Sequence, residues 1–366
     1  MIEKPIPFGN TKPTEEDIEA VLSVLRSGHL RFGTQCSETE RFISSFSGSS
    51  HAVTVSSCTA GLHAALLKIG VTGKKVIVPS LTFAATANAI IHAGGLPVFG
   101  EVDERTCTLD PNHVQELIDA ETVAILPVHM FGIPCDMTRL AAIAEKHSIA
   151  LIEDCAYGLG SFWDRKHVGI FGDFGCFSFQ VLKNVTSGEG GIVITQNAEN
   201  ADWLRSFRNH GMEVGPDGIK SHSFPGLNYK MTDIQAALVV SQLKRLQSIL
   251  EKKRKIANLY TQLLQNAKNI QLFEFPLLAQ CNYTFNVIRL HDTSITAKEV
   301  FHRMRDHRIE IQHFVPVHRE PYYSVRFPQS LPCTERLTEQ LIALPSHLQL
   351  APDDIKIVVE NLLDCL

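Results

Sequence analysis

The sequence has no Cys-x-x-Cys pair, although it holds nine cysteines in 366 residues. An odd count without paired spacing argues against a disulfide framework and a zinc finger, and for free thiols in a reducing cytosol. Cys155 and Cys176 sit inside apolar, strand-like runs. No apolar run approaches the roughly 18 residues that a membrane span needs. The opening Met1-Ile2-Glu3-Lys4-Pro5 lacks the apolar stretch of an export signal. The chain therefore reads as cytoplasmic, with no membrane partner. Charge of either sign is scarcely in excess, the formal net being -5, so no nucleic-acid partner is indicated. The one basic run, Lys252-Lys253-Arg254-Lys255, lies in a helical pattern and reads as a solvated helix face. Neither G-x-G-x-x-G nor G-x-x-x-x-G-K-[ST] occurs, which argues against dinucleotide and P-loop sites. There is no internal repeat, low-complexity tract or long linker.

What is present is an alternation. Strand-like runs at 52–56, 75–79, 96–99, 123–129, 150–154, 175–180 and 191–195 alternate with helical patterns at 59–69, 83–93, 111–120 and 137–147. Several of the runs are apolar throughout, as strands covered on both faces are. The fold class is therefore α/β, with a mostly parallel sheet and helices on both faces. Thr14, followed by Glu15 and Glu16, opens an earlier helix that ends near Gly28. Thr232-Asp233-Ile234-Gln235 is a capping box. Ile234, Leu238, Leu243, Leu246 and Leu250 then predict one long amphipathic helix. Strand-like pieces at 286–290 and 310–313 mix with helices at 297–303, 333–342 and 352–363. We read a large domain over residues 1–250 and a smaller α+β domain over 251–366.

Ligands of open α/β sheets bind beyond the carboxyl ends of the strands. Four groups fall there. The strand Ala150-Leu151-Ile152-Glu153-Asp154 ends in two acids. A buried carboxylate needs a cationic partner, and a protonated pyridine nitrogen is one; a helix cap or a metal ligand is the plainer alternative. Phe177-Ser178-Phe179 leads into Lys183 and then Gly188-Glu189-Gly190-Gly191. A lysine in such a crevice can have its pKa lowered enough to form a Schiff base, although a lone lysine in a loop usually faces solvent. Ser57-Cys58-Thr59 opens a helix whose free N–H groups suit an anion, or simply caps it. Phe83 follows a strand and could stack on a flat ring or pack in the core.

Together these groups resemble the DegT/DnrJ/EryC1/StrS family of sugar aminotransferases. The resemblance covers essentially the whole chain. It is carried by Ser57-Cys58-Thr59-Ala60-Gly61-Leu62-His63, Thr82-Phe83-Ala84-Ala85-Thr86, Val128-His129-Met130-Phe131-Gly132 and Glu153-Asp154-Cys155-Ala156. Above all it is carried by the stretch from Gly172-Asp173 through Ser178 and Lys183 to Gly191, with support from Arg208-Asn209-His210-Gly211 and Gly226-Leu227-Asn228-Tyr229-Lys230.

The resemblance implies the fold-type I architecture of enzymes that use pyridoxal 5'-phosphate (PLP). By it, Lys183 forms the Schiff base with PLP, Asp154 binds the pyridine nitrogen and Phe83 stacks on the ring. Ser178, Cys58 and Thr59 hold the phosphate, the latter two through backbone N–H groups. Asn228 reaches the phosphate of the neighbouring subunit's cofactor, which makes a homodimer with shared active sites. Tyr157 stands where relatives commonly carry a glutamine that bonds the cofactor's phenolic oxygen, and is expected to bind the cofactor there through its own phenol. Lys230 stands where they commonly carry arginine. A similar His/Pro/Tyr segment near the acceptor pocket makes His313 and His318 substrate contacts, with loop packing as the alternative. No third ligand is spaced with these histidines for a metal.

The implied reaction takes an amino group from an amino acid, L-glutamate by analogy, to a keto-sugar, nucleotide-linked by the same analogy. The kinetics would be ping-pong. A dehydratase of the same family is the rival, but those relatives generally replace the lysine with histidine. A non-catalytic regulator on the same fold is the other rival, and the Lys183/Asp154 pair weighs against it.

Overall fold

The computed structural model describes residues 4–291 and 294–366. Residues 1–3 of the opening segment, where no export signal is expected, lie outside the described residues. Strands β1 (His51–Val55), β2 (Lys75–Pro79), β3 (Leu96–Gly100), β4 (Thr122–Ile125), β5 (Ala150–Cys155), β6 (Phe174–Ser178) and β7 (Gly191–Thr195) form one seven-stranded sheet in the order β1-β7-β6-β5-β4-β2-β3. β7 alone runs antiparallel to its neighbours. The other pairings are parallel. β4 is shorter than its apolar run because Pro127 has no N–H to donate. The pairing resumes only as a bridge between Val128 and Asp154.

Alternation of side chains along each strand builds a core on each face. Val76 and Val78 pack with Leu62, Leu66 and Ile90, on one side. Ile77 packs with Val114 and Leu140 on the other. Helices α1 (Glu15–Ser27) and α2 (Thr34–Ser47) precede the sheet, and α3 (Cys58–Ile69), α4 (Ala84–His92), α5 (Pro111–Leu117) and α6 (Met137–His147) lie between its strands. The expected doubly covered, mostly parallel sheet is therefore present. α1 begins at a Thr14/Asp17 capping box and stops at Gly28, whose φ of 73° suits glycine.

α2 is not foreseen from its sequence, which is rich in Ser and Thr and weakly periodic. Its N-cap, Gly33, offers no side chain. The cap comes instead from Asp233, whose carboxylate accepts from the N–H groups of Gly33, Gln35 and Cys36 at 2.9, 3.2 and 3.0 Å. Asp233 belongs to α8 (Asp233–Leu243), which follows α7 (Ala198–Phe207).

The helix expected to run on from Thr232 is two helices. α8 stops at Leu243, and α9 (Leu246–Leu264) starts after Arg245, whose φ of -118° and ψ of 20° leave the helical well. Arg245 is drawn aside by Asp17, with Nη2–oxygen distances of 2.6 and 2.5 Å. The break lets α8 lie on the large sheet while α9 turns toward a second core. Leu246, Ile249 and Leu250 pack with the large sheet; Ile256, Tyr260 and Leu264 pack in the second core. α9 thus runs unbroken across residues 250 and 251.

The basic run does not form one solvated face. Lys252, Arg254 and Lys255 are exposed, but Lys253 is buried. It falls on the stripe of Leu246, Ile249 and Ile256, where helical spacing points it inward.

The second core covers an antiparallel sheet of β8 (Ile270–Leu272), β9 (Asn286–Leu290), β10 (Gln312–His313) and β11 (Leu341–Leu344), in the order β8-β9-β11-β10. α10 (Ala297–Asp306) and α13 (Pro352–Asp364) pack in this second core, whereas Tyr323 of α11 (Pro321–Arg326) and Leu337 of α12 (Pro332–Thr338) pack with the core of the large sheet. The helix expected over 333–342 ends at Thr338, and β11 follows. Leu341, Ile342, Ala343 and Leu344 are all fully buried; all four pair with β9, and Ile342 and Ala343 pair with β10 as well. A short all-apolar run carries no period, so the two ladders decide its state. The chain's start joins this half: Ile6 N–H donates to Arg308 O at 3.0 Å, and Glu310 N–H donates to Ile6 O at 2.9 Å. No described helix is long and apolar enough to cross a membrane.

Candidate active site

The carboxyl ends of β1, β2, β5 and β6 gather the residues singled out by sequence. Asp154 closes β5 and is 3% exposed. Its Oδ2 accepts from Thr86 Oγ1 at 2.8 Å, and its Oδ1 accepts from Ala156 N–H at 3.0 Å. Cys58 Sγ stands 3.8 Å from Oδ1. Burial pushes the Asp154 pKa up, and the Ala156 and Thr86 hydrogen bonds oppose it. Among the described residues no cation forms an ion pair with Asp154.

Glu153, its neighbour, faces the other way. It is fully buried. It accepts from the N–H groups of Gly169, Phe171 and Gly172 at 2.7, 2.8 and 3.0 Å, and meets His129 Nε2 at 3.0 Å. Cys135 N–H donates to His129 Nδ1 at 3.1 Å, so Nε2 carries the proton toward Glu153. His129, Glu153 and Cys155 have metal-type atoms within 4.8 Å of one another. With the carboxylate and both ring nitrogens already bonded, this cluster is a structural tie between β5 and two loops.

Lys183 lies in the turn after β6, where its N–H donates to Gln180 O at 2.9 Å. The turn is tightly held. Ser178 Oγ accepts from Gln180 N–H at 3.2 Å, and Gly188 takes a φ of 79°. Gln242 of α8 bonds both the N–H and the C=O of Thr186. The amine reaches back until Nζ lies 3.4 Å from the centroid of the Tyr157 ring. Burial lowers the Lys183 pKa to about 8, against the opposing fields of Cys58, Asp154 and Glu189.

Ser57 Oγ caps α3 by accepting from Ala60 N–H at 3.0 Å. The Cys58 thiol is turned inward, 3.3 Å from Cys176 O. The backbone N–H groups of Cys58 and the partly buried Thr59 then stand at the helix start, where an anion can be met. Phe83, the N-cap of α4, is 70% exposed. Asn228 is exposed and bridges Asn209. Its neighbour Tyr229 accepts from Ser56 N–H at 2.7 Å, which lays this segment beside the turn into α3. Lys230 Nζ donates to Asn209 Oδ1 at 2.8 Å.

The two histidines part company. His318 is buried, with Nδ1 2.5 Å from Ser80 Oγ and Nε2 2.9 Å from Glu335 Oε1. It ties this segment to the end of β2, three residues before Phe83. His313 is partly buried on β10, with its ring edge-on to Phe301 at 5.0 Å. Thr86 and Gln242 are the contributors that sequence reasoning passed over. For Thr86 a signal existed, since Thr82 and Thr86 lie four residues apart at the start of a helix, and their hydroxyls meet at 2.8 Å.

The profile of the DegT/DnrJ/EryC1/StrS aminotransferase family matches residues 11–363. The chain belongs to this family. It is 32% identical to the spore coat polysaccharide biosynthesis protein SpsC of Bacillus subtilis, over 98% of this chain and 96% of that one. Its structure is similar to Helicobacter pylori PseC, an aminotransferase involved in the biosynthesis of pseudoaminic acid, with a TM-score of 0.94, 26% identity and 99% of each chain covered. It is also similar to DesI, solved in the presence of its TDP-sugar product, with a TM-score of 0.92, 28% identity, and 100% and 93% of the two chains covered.

DegT/DnrJ/EryC1/StrS aminotransferases work with PLP, and the residues present fit that cofactor. Asp154 is a buried acid whose missing counter-charge a protonated ring nitrogen would supply. Phe83 is a large aromatic left bare at a strand end, where a flat ring would cover it. A Cβ at Gly191 would come within 2.6 Å of Cys58 N, so glycine keeps β7 clear of the helix start.

Proposed function

We propose that this aminotransferase moves an amino group from an amino-acid donor, L-glutamate, to a keto-sugar that is nucleotide-linked, by ping-pong kinetics. Lys183 carries the reading: a lysine stands opposite Asp154, where dehydratase relatives generally have histidine. The descriptions of SpsC, PseC and DesI support a sugar acceptor, and that of DesI supports a nucleotide-linked one. The nine free thiols fit work in the cytoplasm.

The residues divide the labour. PLP, when bound, supplies the electron sink for the pair left as a proton leaves the donor α-carbon. The Asp154 carboxylate holds a proton at the ring nitrogen, and Thr86 and Ala156 hold the carboxylate. Lys183 would attach the cofactor and, once freed, would take the donor's α-proton at Nζ and give it to the cofactor's former aldehyde carbon. A pKa near 8 leaves a useful fraction of neutral amine near neutral pH. Phe83 covers one face of the ring. Ser178 and the N–H groups of Cys58 and Thr59 hold the phosphate. Tyr157 lines the same pocket. Asn228 completes the phosphate site of the neighbouring subunit in a homodimer. His313 and His318 line or brace the acceptor side.

The test separates the half-reactions. Enzyme with L-glutamate alone should release one equivalent of 2-oxoglutarate per site. The glutamate-treated enzyme, freed of donor, should then aminate one member of a panel of nucleotide-linked keto-sugars, read by mass. Loss of a sugar hydroxyl without nitrogen gain would overturn the reading in favour of dehydration. Transfer only to 2-oxo acids would overturn the sugar acceptor.

A further inference from the structure

Tyr157 presents its ring face, and not its hydroxyl, to the Lys183 amine: Nζ lies 3.4 Å from the ring centroid. Among the described residues Nζ has no hydrogen-bond or ion-pair partner. Asp154 is close enough to act through its field. Its two oxygens, however, are turned to Thr86 and Ala156. The ring is what the amine rests on.

That ring is held from behind. The Tyr157 carbonyl accepts from Asn282 Nδ2 at 2.6 Å and from Thr284 Oγ1 at 3.1 Å. Phe285 packs against the ring at 5.2 Å between centroids. Gly132, with a φ of 92°, permits this approach, because a Cβ there would strike the Asn282 side chain. A ring held at its backbone and packed against Phe285 has little freedom to leave the amine.

We propose that Tyr157 is a positioning residue for Lys183: its π face receives the ammonium and fixes where Nζ waits whenever the amine is not bonded to the cofactor. The inference rests on the reading of Lys183 as the cofactor-bearing lysine. Burial and the ring act in opposite directions on the charge. Desolvation favours the neutral amine, whereas the negative face of the ring favours the ammonium. Removing the ring should therefore lower the amine's titration midpoint by about one pH unit.

The experiment follows capture of the cofactor, not turnover. Cofactor-free protein is mixed with PLP over a pH range spanning the Lys183 transition, and the rate of appearance of the visible band is recorded. Tyr157→Phe keeps the π face and should follow the wild type. Tyr157→Leu should show a midpoint lower by about one pH unit, with Tyr157→Met as a second aliphatic variant should the first not fold. A purely structural role would lower thermal stability and leave the midpoint in place. The proposal fails if the Phe variant shifts as the aliphatic ones do, since the hydroxyl would then be the active group. It also fails if the aliphatic variants titrate with the wild type. Borohydride reduction and peptide mapping of the wild type keep the two ideas apart: label on another lysine sinks the reading of Lys183 itself.

Discussion

The side chain of Gln242 bonds both backbone groups of Thr186, accepting from its N–H at 3.0 Å and donating to its C=O at 2.7 Å. α8 thereby grips the turn that carries Lys183. Gln242→Ala would strand two buried backbone groups, each costing about 1–3 kcal/mol. The expected result is a lower urea midpoint together with weaker retention of PLP in dialysis. Unchanged retention would show that the turn holds its shape without this grip.

Lys183→Ala should abolish the borohydride-sensitive visible band and turnover while leaving the fold intact. Asp154→Asn keeps the shape and removes the charge. Its turnover should fall by at least about 10²-fold, as losses of preorganised charge at buried sites do. Circular dichroism and turnover measured side by side decide the matter. Near-wild-type rates in the Asn variant would end the assigned role of Asp154.

Lys253 gives a pH dependence with a definite sign. It is 5% exposed, with Nζ donating to Thr284 O at 3.1 Å and to Ser346 O. Burial lowers its pKa to about 7. A depressed lysine pKa means that the unfolded chain binds the extra proton from about 7 up to its ordinary value of 10.5. Stability therefore rises with pH across that window, by at most about 1.4 kcal/mol per pH unit. Relative to Lys253→Met, the wild type should gain stability as pH climbs from neutral, in urea unfolding at several pH values. Parallel curves for the two proteins would contradict this sign.

Asn228 tests assembly. If it serves the neighbouring subunit, a mixture of inactive Lys183→Ala with a strongly impaired Asn228→Ala should recover activity, because one site of each mixed dimer receives both wild-type groups. Sedimentation of the wild type should show a dimer or larger. A monomer with full activity would remove the shared site.

The sheet was legible because its strands are short, apolar and regularly spaced, and because Lys183, Phe83 and Ser57 follow strands and Asp154 sits at the end of one. Local order was the readable part. α2 was not readable, since its cap lies on α8. The break at Arg245 was not readable either, because Asp17 lies far back in the chain. Leu341–Leu344 could have been helix or strand until its two partners were known. In the site, Lys183 and Asp154 were visible from their flanks. Thr86 and Gln242 were not given roles, because their contacts span 68 and 56 residues. Tyr157 stood out as the replacement of a glutamine common in relatives, but nothing in its neighbours said that its face and not its hydroxyl would meet the amine.

The cap on α2 has a consequence for how the chain is made. Gly33 and Asp233 are 200 residues apart. At about 5–20 residues per second of synthesis, α2 emerges roughly 10–40 s before the carboxylate that closes its first turn. Its Ser- and Thr-rich sequence has little helix preference of its own to bridge that interval. α2 is thus expected to form late, after α8 has been made. Ribosome-bound chains cut short of Asp233 should leave residues 34–47 open to proteases, while β2 to β5 are already protected.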